Sequence, residues 1–326
     1  MLKVGVVGVG HLGQYHAQKY AAMPDVELVG LVDLDCDRAQ EVADRCQTQV
    51  LTEVGDLLGR VEAVSIAVPT QAHHAVAGAF LKRGVHVLLE KPIARTLEEA
   101  DDLIDLASQN AALLQIGHLE RFNPAVRAAR PFLDRPLFIE GTRINPFTER
   151  GTDVDVVLDL MIHDLDLVLH LVGQAPVRVE AVGVPVVTHL VDIANARLEF
   201  ESGCVANLTA SRVSGRSERK MRVFQADSYL SIDCGRRTLT RVRRVTRPEF
   251  PRPEMIEETP EVAVEDALET EIRAFVQAVR TGSPPPVTGG EGRQALRLAL
   301  TVLREIEARL EKQPDILGRV VSCPKS

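Results

Sequence analysis

Asp159 and His163 stand at positions i and i+4 in Asp159-Leu-Met-Ile-His163-Asp164-Leu-Asp166, a spacing that puts a carboxylate and an imidazole on one face of a helix. A histidine titrating near neutrality can take the hydroxyl proton of a secondary alcohol as its hydride leaves. Asp159 can orient that imidazole or touch a sugar. Lys91, in Glu90-Lys91-Pro92, follows the apolar run Val85-His-Val-Leu-Leu89, at the strand edge where ligands gather on an open α/β sheet. Its ammonium can donate to the same hydroxyl and favour the alkoxide, while Pro92 sets the turn that aims it, in a cis or a trans form. Asp166 and His170 enlarge the cluster enough to raise a metal site. Scattered i,i+4 and i,i+7 pairs on an apolar helix lack a ligand motif such as HExxH, and hydride transfer to a nicotinamide needs no metal, so none is expected.

A hydride acceptor is written at the start of the chain. In Lys3-Val-Gly-Val-Val-Gly8-Val-Gly10-His11-Leu12-Gly13 the glycines follow a short apolar run, residues 2–7, suited to a buried parallel strand. Gly8 takes the tight turn, Gly10 leaves room for a pyrophosphate, and Gly13 lets the next helix pack closely on the sheet. Unpaired amides at that helix N-terminus then face the phosphates, with His11 and Leu12 in the same loop. A second apolar run, Val26 to Val32, ends at Asp33, where a carboxylate accepts the adenosine ribose hydroxyls and repels a 2′-phosphate. NAD is therefore expected over NADP, with Asp35 as an understudy for Asp33.

The elements needed to position these groups follow in order. Helices are expected over 11–23, 38–46, 72–83 and 96–107, alternating with strands over 61–68, 85–89 and 111–117; Thr96 caps the last helix and Glu98 and Glu99 occupy its first turn. This is a doubly wound parallel sheet over 1–120. Beyond it, strands are expected over 137–144, 177–185, 193–201, 204–211, 221–225, 229–233 and 238–245, with helices over 154–171, 267–281 and 291–312. Leu158, Leu165 and Leu169 would hold the helix of His163 in a core. The expectation is an α/β chain: an N-terminal Rossmann domain, then an α+β domain over 121–326 with a large, mostly antiparallel open sheet. Residues 246–264, rich in Pro and Glu, read as an extended surface excursion, and Ser283-Pro-Pro-Pro286 separates the last two helices, returning the final one toward the first domain.

Composition excludes other classes. A net charge of -8 without a sustained basic tract argues against nucleic acid. Cys36, Cys46, Cys204, Cys234 and Cys323 form no CxxC pair and no disulfide framework, which fits a reducing compartment. The N-terminal apolar run is too short for a signal peptide, and no stretch approaches the roughly 20 apolar residues of a membrane span, so a cytoplasmic protein without membrane insertion is expected. The densest basic turn is Arg212-Val-Ser-Gly-Arg216-Ser-Glu-Arg219-Lys220, whose guanidinium forks suit a diphosphate. An ordinary solvated hairpin or a subunit contact is the other reading of that turn.

Over essentially its full length the chain resembles the Gfo/Idh/MocA family of NAD(P)-dependent sugar and polyol oxidoreductases. The resemblance is carried by Gly8, Gly10, Gly13 and Asp33, by Val68-Pro69-Thr70-Gln-Ala-His73, by Glu90-Lys91-Pro92, and by the Asp159 and His163 pair. It implies a cofactor set of Gly8, Gly10, His11, Leu12, Gly13, Asp33, Pro69, Thr70, His73, Glu90 and Lys91. It also implies catalysis by Lys91 and His163 with Asp159. The glycines that commonly precede the aspartate are here Val154-Asp-Val-Val157, and Met161 replaces a frequent glycine, which reshapes the substrate wall.

Gly117-His118-Leu-Glu120-Arg121-Phe122-Asn123-Pro124, together with Asp155 to Asp164, is similar to the branch that oxidises the 3-hydroxyl of UDP-N-acetylglucosamine to a ketone on the way to amide-linked lipid A precursors. For this chain the resemblance implies that nucleotide-sugar substrate. Arg121, Asn123, Arg212 and Arg216 join Lys91, Asp159 and His163 as substrate-binding candidates. Another sugar or polyol dehydrogenase of the family, a reductase of biliverdin or dihydrodiol type, and a non-catalytic NAD-binding sensor are the alternatives. A homo-oligomer, dimer or tetramer, is expected from the open face of the second sheet, whose apolar strands another subunit would cover.

Overall fold

The computed structural model describes residues 1–148, 154–247 and 252–312. Cys323 and residues 248–251 of the Pro- and Glu-rich stretch lie outside the described residues.

The first compact unit comprises residues 1–119 and 266–296. Its β1 (Leu2–Val7), α1 (Gly13–Ala21), β2 (Val26–Val32), α2 (Cys36–Cys46), β3 (Ala63–Ile66), α3 (Thr70–Leu81), β4 (His86–Glu90), α4 (Leu97–Gln109) and β5 (Leu114–Gly117) alternate along the chain. The strands pair in the order β2-β1-β3-β4-β5, all parallel. The near-continuous apolar character of β1, β3 and β5 reflects a sheet covered on both faces. Local chemistry sets the helix limits: Thr96 Oγ1 accepts the Glu99 amide to begin α4 at 3.2 Å, and Asp35 Oδ1 accepts the Arg38 amide to begin α2 at 3.1 Å.

In the second unit, which among the described residues takes in parts of 120–265 and 297–312, α5 (Pro124–Ala129) leads to β6 (Phe138–Ile144) and, further along the chain, to α6 (Ile162–Val172). There follow β7 (Arg178–Val184), β8 (Ile193–Glu199), β9 (Val205–Ser211), β10 (Glu218–Phe224), β11 (Ser228–Asp233), β12 (Thr238–Val245) and β13 (Glu254–Glu258). Among the described residues these form an eight-stranded sheet in the order β13-β12-β11-β10-β6-β9-β8-β7. Every pairing is antiparallel except β6 with β9. Alternate residues, including Ile139, Ala196, Leu198, Leu208, Val223 and Ile232, are buried, as are Leu165, Leu167, Val168 and Leu169 of α6.

The opposite face of this sheet is more polar than a reading of apolar strands expects. Asn195 donates to Thr209 Oγ1 at 2.9 Å, Arg197 to Asn207 Oδ1 at 3.4 Å, and Arg222 pairs with Glu140. Exposed apolar residues gather instead at and beside the β7 edge, at Val177, Val182, Val184, Val186 and Val187. The Pro- and Glu-rich stretch is also not wholly a loop. Residues 254–258 add an edge strand against β12, where Glu258 meets Arg241 and Arg243, so cross-strand charge supports a pairing that composition alone does not suggest.

Two helices complete the elements: α7 (Ala267–Thr281), capped by Asp266 at the Glu269 amide (3.0 Å), and α8 (Gly289–Leu310). Ile272, Phe275 and Val276 of α7 pack into the same core as Val4, Val6, Tyr20 and Leu88, so residues 266–296 complete the first unit although a division at residue 120 assigns them to the second domain. A Cβ on Gly292 would lie 2.6 Å from Ile116 Cγ1, which shows how closely the start of α8 approaches β5.

Candidate active site

In the first unit the glycine loop is shaped by contacts that tolerate no side chain. Gly8 has a φ of +83°, and a Cβ there would lie 2.7 Å from Ala67 O. At Gly13 a Cβ would fall 1.8 Å from Gly8 O, so the start of α1 closes directly on the loop. Gly10 differs: a Cβ would meet nothing within 4 Å. Its missing side chain leaves space for a ligand rather than for protein, and α1 begins without a side-chain cap. The room at Gly10 and the uncapped helix start fit a dinucleotide pyrophosphate. His11 and Leu12 lie exposed in the same loop, the His11 ring edge-on to Tyr15 at 5.8 Å. Asp33 Oδ2 accepts the Val9 amide at 2.6 Å, tying the loop to the end of β2. Burial pushes the Asp33 carboxyl up, but the Arg38 guanidinium and the Asp35 and Val9 amides hold it below the ordinary carboxylate range.

Pro69 and Thr70 open α3, and its first turn carries His73, a buried ring that clasps two loops. Its Nδ1 lies 2.8 Å from Pro92 O and its Nε2 2.9 Å from Val68 O, linking the segment after β3 to the turn after β4. Burial holds the His73 imidazolium down. In that second turn the Lys91–Pro92 bond is cis. The Glu90 carboxylate points into the unit: Oε1 lies 3.3 Å from His16 Nε2 and Oε2 accepts the Lys91 amide at 3.3 Å. His16 Nδ1 continues to Ser65 Oγ at 3.2 Å, and Ser65 Oγ to the Tyr20 hydroxyl at 2.8 Å. Although burial pushes the Glu90 carboxyl up, His16 and Lys91 pull it below its ordinary value. Behind this network lies Glu271 of α7, wholly buried, with neither carboxyl oxygen hydrogen-bonded; desolvation and the neighbouring Glu90 charge raise it well above the usual range.

The second unit carries Asp159 and His163. Residues 157–161 form a π-helical turn that runs directly into α6, so Asp159 lies in the wide turn and His163 in the first α turn, both half-buried. Wide turns of this kind are rare and are found mostly at functional sites. Two guanidinium forks grip the residues that follow His163. Arg143 donates to Asp164 Oδ1 at 2.8 Å and Oδ2 at 3.1 Å, and also to Glu120 Oε1 at 2.8 Å. Arg121 donates to Asp166 Oδ1 at 2.6 Å and Oδ2 at 2.8 Å, with His170 Nδ1 at 3.4 Å from its Nη1. Burial drives the Asp164 carboxyl up despite Arg143, whereas Glu120 is drawn below its usual value by Arg143 against its own burial.

The segment entering the wide turn is held from another side. Asp192, fully buried, accepts the amides of Val186, Val187 and Thr188 at 2.6–2.8 Å and the Thr188 hydroxyl at 2.8 Å. Arg212 lies 3.6 Å from Asp192 Oδ1 and donates to Val154 O, while Asp155 Oδ1 accepts the Val191 amide at 2.9 Å.

The structure thus divides the expected substrate residues into different settings. Asn123 caps α5 at the Ala125 amide (3.1 Å) and donates to Glu120 Oε2 at 3.0 Å; Arg121 and Arg212 are built into buried pairs; Arg216 stands on the surface beside Glu218. Sequence reading did not single out His16, Ser65, Arg143, Asp192 or Glu271. Only Ser65, the single polar residue of β3, carried a local signal; His16, Arg143 and Glu271 stand among other polar residues of their elements, and Asp192 lies in the bend before β8. Among the described residues no group of three or more His, Cys, Asp or Glu is disposed to hold a metal ion, and no helix is long and apolar enough to cross a membrane.

Comparison with known proteins supports both units. Residues 2–118 match the oxidoreductase family with an NAD-binding Rossmann fold, and residues 116–230 match the GFO/IDH/MocA C-terminal domain. The UDP-N-acetylglucosamine 3-dehydrogenase of Acidithiobacillus ferrooxidans is 43% identical over 312 residues, 95% of this chain and 99% of the relative. A solved structure of that enzyme superposes with a TM-score of 0.89, covering 94% of this chain and 98% of the other. Myo-inositol 2-dehydrogenase of Thermotoga maritima is 25% identical over 343 residues, covering 97% of this chain and all (100%) of the relative. Levoglucosan dehydrogenase in complex with NADH, 20% identical, shares the fold with a TM-score of 0.84 over 94% of this chain and 97% of that one. With its glycine loop, its strand-end aspartate and both domains matched, the chain belongs to the Gfo/Idh/MocA family of NAD-binding oxidoreductases.

Proposed function

We propose that this dehydrogenase oxidises the 3-hydroxyl of UDP-N-acetylglucosamine to the 3-keto sugar, the step that precedes transamination toward amide-linked lipid A precursors. The observation that carries the reading is the 43% identity to a UDP-N-acetylglucosamine 3-dehydrogenase along nearly the whole of both chains. NAD, when bound, supplies the hydride acceptor at nicotinamide C4. His163 takes the hydroxyl proton, with Asp159 orienting it or contacting the sugar, and Lys91 steadies the alkoxide charge that develops as the hydride leaves. Gly10 and the uncapped start of α1 receive the pyrophosphate, and Asp33 receives the adenosine ribose. Arg216 is the surface cation offered to the UDP diphosphate. Arg121, Asn123 and Arg212 serve the substrate through the segments they hold.

We infer further that the chain works as a cytoplasmic homo-oligomer, dimer or tetramer. The exposed valines at and beside β7 support the assembly. Light scattering at micromolar concentration checks it, and a monomeric mass overturns it.

The deciding experiment follows NADH formation with NAD and UDP-N-acetylglucosamine, with mass detection of product and with UDP-glucose, glucose and inositol in parallel. A product two mass units lighter from UDP-N-acetylglucosamine is expected. Turnover confined to free sugars or polyols overturns the nucleotide-sugar reading, and NAD binding without any turnover favours a sensor.

A further inference from the structure

The residue that reads the cofactor ribose is already occupied in a way that bears on cofactor choice. Asp33 Oδ2 accepts the Val9 amide at 2.6 Å; Oδ1 accepts both the Asp35 amide at 2.9 Å and Arg38 Nη2 at 2.7 Å. A carboxylate offers about four acceptor positions, and a ribose diol asks for two. One of the three present donors must yield when a cofactor binds. Two of them are backbone amides fixed by the glycine loop and by the turn into α2. The third is a long side chain, 46% exposed, whose guanidinium has a second anchor at Asp35 Oδ2, 3.3 Å from Nη1. Arg38 is therefore the donor that yields, and Asp35 keeps it on the same rim after it does so.

That rim then carries both chemistries by which such sites discriminate. A strand-end carboxylate selects the free 2′-hydroxyl, whereas a nearby arginine accommodates a 2′-phosphate. We propose that Arg38 sets how strictly this chain tells NAD(H) from NADP(H): it competes with the ribose for Asp33 and presents a fork to a 2′-phosphate, so the protein binds both cofactors, the unphosphorylated one more tightly. The electrostatics agree, since Arg38 lowers the Asp33 carboxyl and is itself held charged by Asp33 and Asp35. The proposal concerns the cofactor alone and stands whichever sugar is oxidised.

Fluorescence titration of the purified chain with NADH and with NADPH, no sugar present, tests it. Wild-type protein is expected to bind both. Arg38→Ala is expected to weaken NADPH by about 10-fold, the scale of a lost charge-assisted fork, while NADH binding holds or tightens. Arg38→Lys, which keeps the charge but not the fork, is expected to fall between them. In wild type, raising the salt is expected to weaken NADPH more than NADH. Three results overturn the proposal: no NADPH binding by wild type, an equal loss of both cofactors in both variants, or an NADPH to NADH affinity ratio unchanged by Arg38→Ala. Circular dichroism of each variant shows that α2 has formed, and NADH binding itself reports the folded loop.

Discussion

His163 and Lys91 carry different parts of the proposed reaction, and a third buried residue reports on the setting of one of them. Removing a general base commonly costs 10²- to 10⁴-fold. His163→Ala is accordingly expected to lower kcat by about that factor and to leave the NADH dissociation constant unchanged, because the dinucleotide loop belongs to another compact unit. Steady-state kinetics beside NADH titration check the pair of outcomes, and a parallel loss of NADH affinity would count against a proton-transfer role. Glu271 makes a separate prediction. Its folded-state pKa is raised, so above about pH 4.3 the unfolded chain releases a proton that the folded chain keeps. Stability from this group is full below that pH and is lost as pH rises toward the folded value. Glu271→Gln, isosteric with the protonated acid, removes the loss, so urea unfolding should show the variant gaining on wild type between pH 5 and pH 8. A difference that does not change with pH would show that Glu271 is ionised in the fold.

These two residues also mark how far the sequence could be read. His163, Lys91 and Asp33 declare themselves through short spacings and strand ends, which are local. Glu271 gains its meaning from Glu90, and Arg143 from Glu120 and Asp164, partners distant in sequence that only the folded chain brings together.

Among elements, the wide turn before α6 rests on an anchor outside the helix. Asp192 serves three amides, a hydroxyl and, more distantly, Arg212, and Arg212 reaches the carbonyl of Val154. Truncating one partner of a buried charged pair costs about 3–5 kcal/mol. Asp192→Ala is therefore expected to lower stability on that scale in denaturant melts. Where it remains folded, it should lower kcat as well, since Asp159 follows the anchored segment. An unchanged melt would show that the anchor is dispensable. The helix here was legible from its apolar spacing, but its wide first turn was not, because helical periodicity over so few residues cannot separate the two geometries. The strand at 254–258 was hidden for a different reason: its alternation is short, flanked by prolines, and acquires sense only beside the arginines of β12.

At the scale of the molecule, the Rossmann unit is assembled from two stretches of chain, 1–119 and 266–296. The strand and helix rhythm up to residue 117 reads as a complete domain, and this conceals the debt to α7, whose Ile272, Phe275 and Val276 cover the core. A fragment ending at residue 120 is expected to expose that apolar surface, aggregate and fail to bind NADH. Adding residues 266–296 through a flexible linker is expected to restore soluble, NADH-binding protein, and gel filtration with fluorescence titration reads both. NADH binding by the short fragment would show that α7 is an accessory.

The same discontinuity has a temporal meaning during synthesis. At roughly 5–20 residues per second, the ribosome takes on the order of 10 to 40 s to pass from residue 119 to residue 296, while the nascent sheet waits for the helix that closes it. Residues 120–265 of the second unit are made within that interval, so the N-terminal unit is begun first and finished after most of its neighbour has emerged. Arrested nascent chains ending before α7 should recruit holdase chaperones, and those released beyond α8 should not.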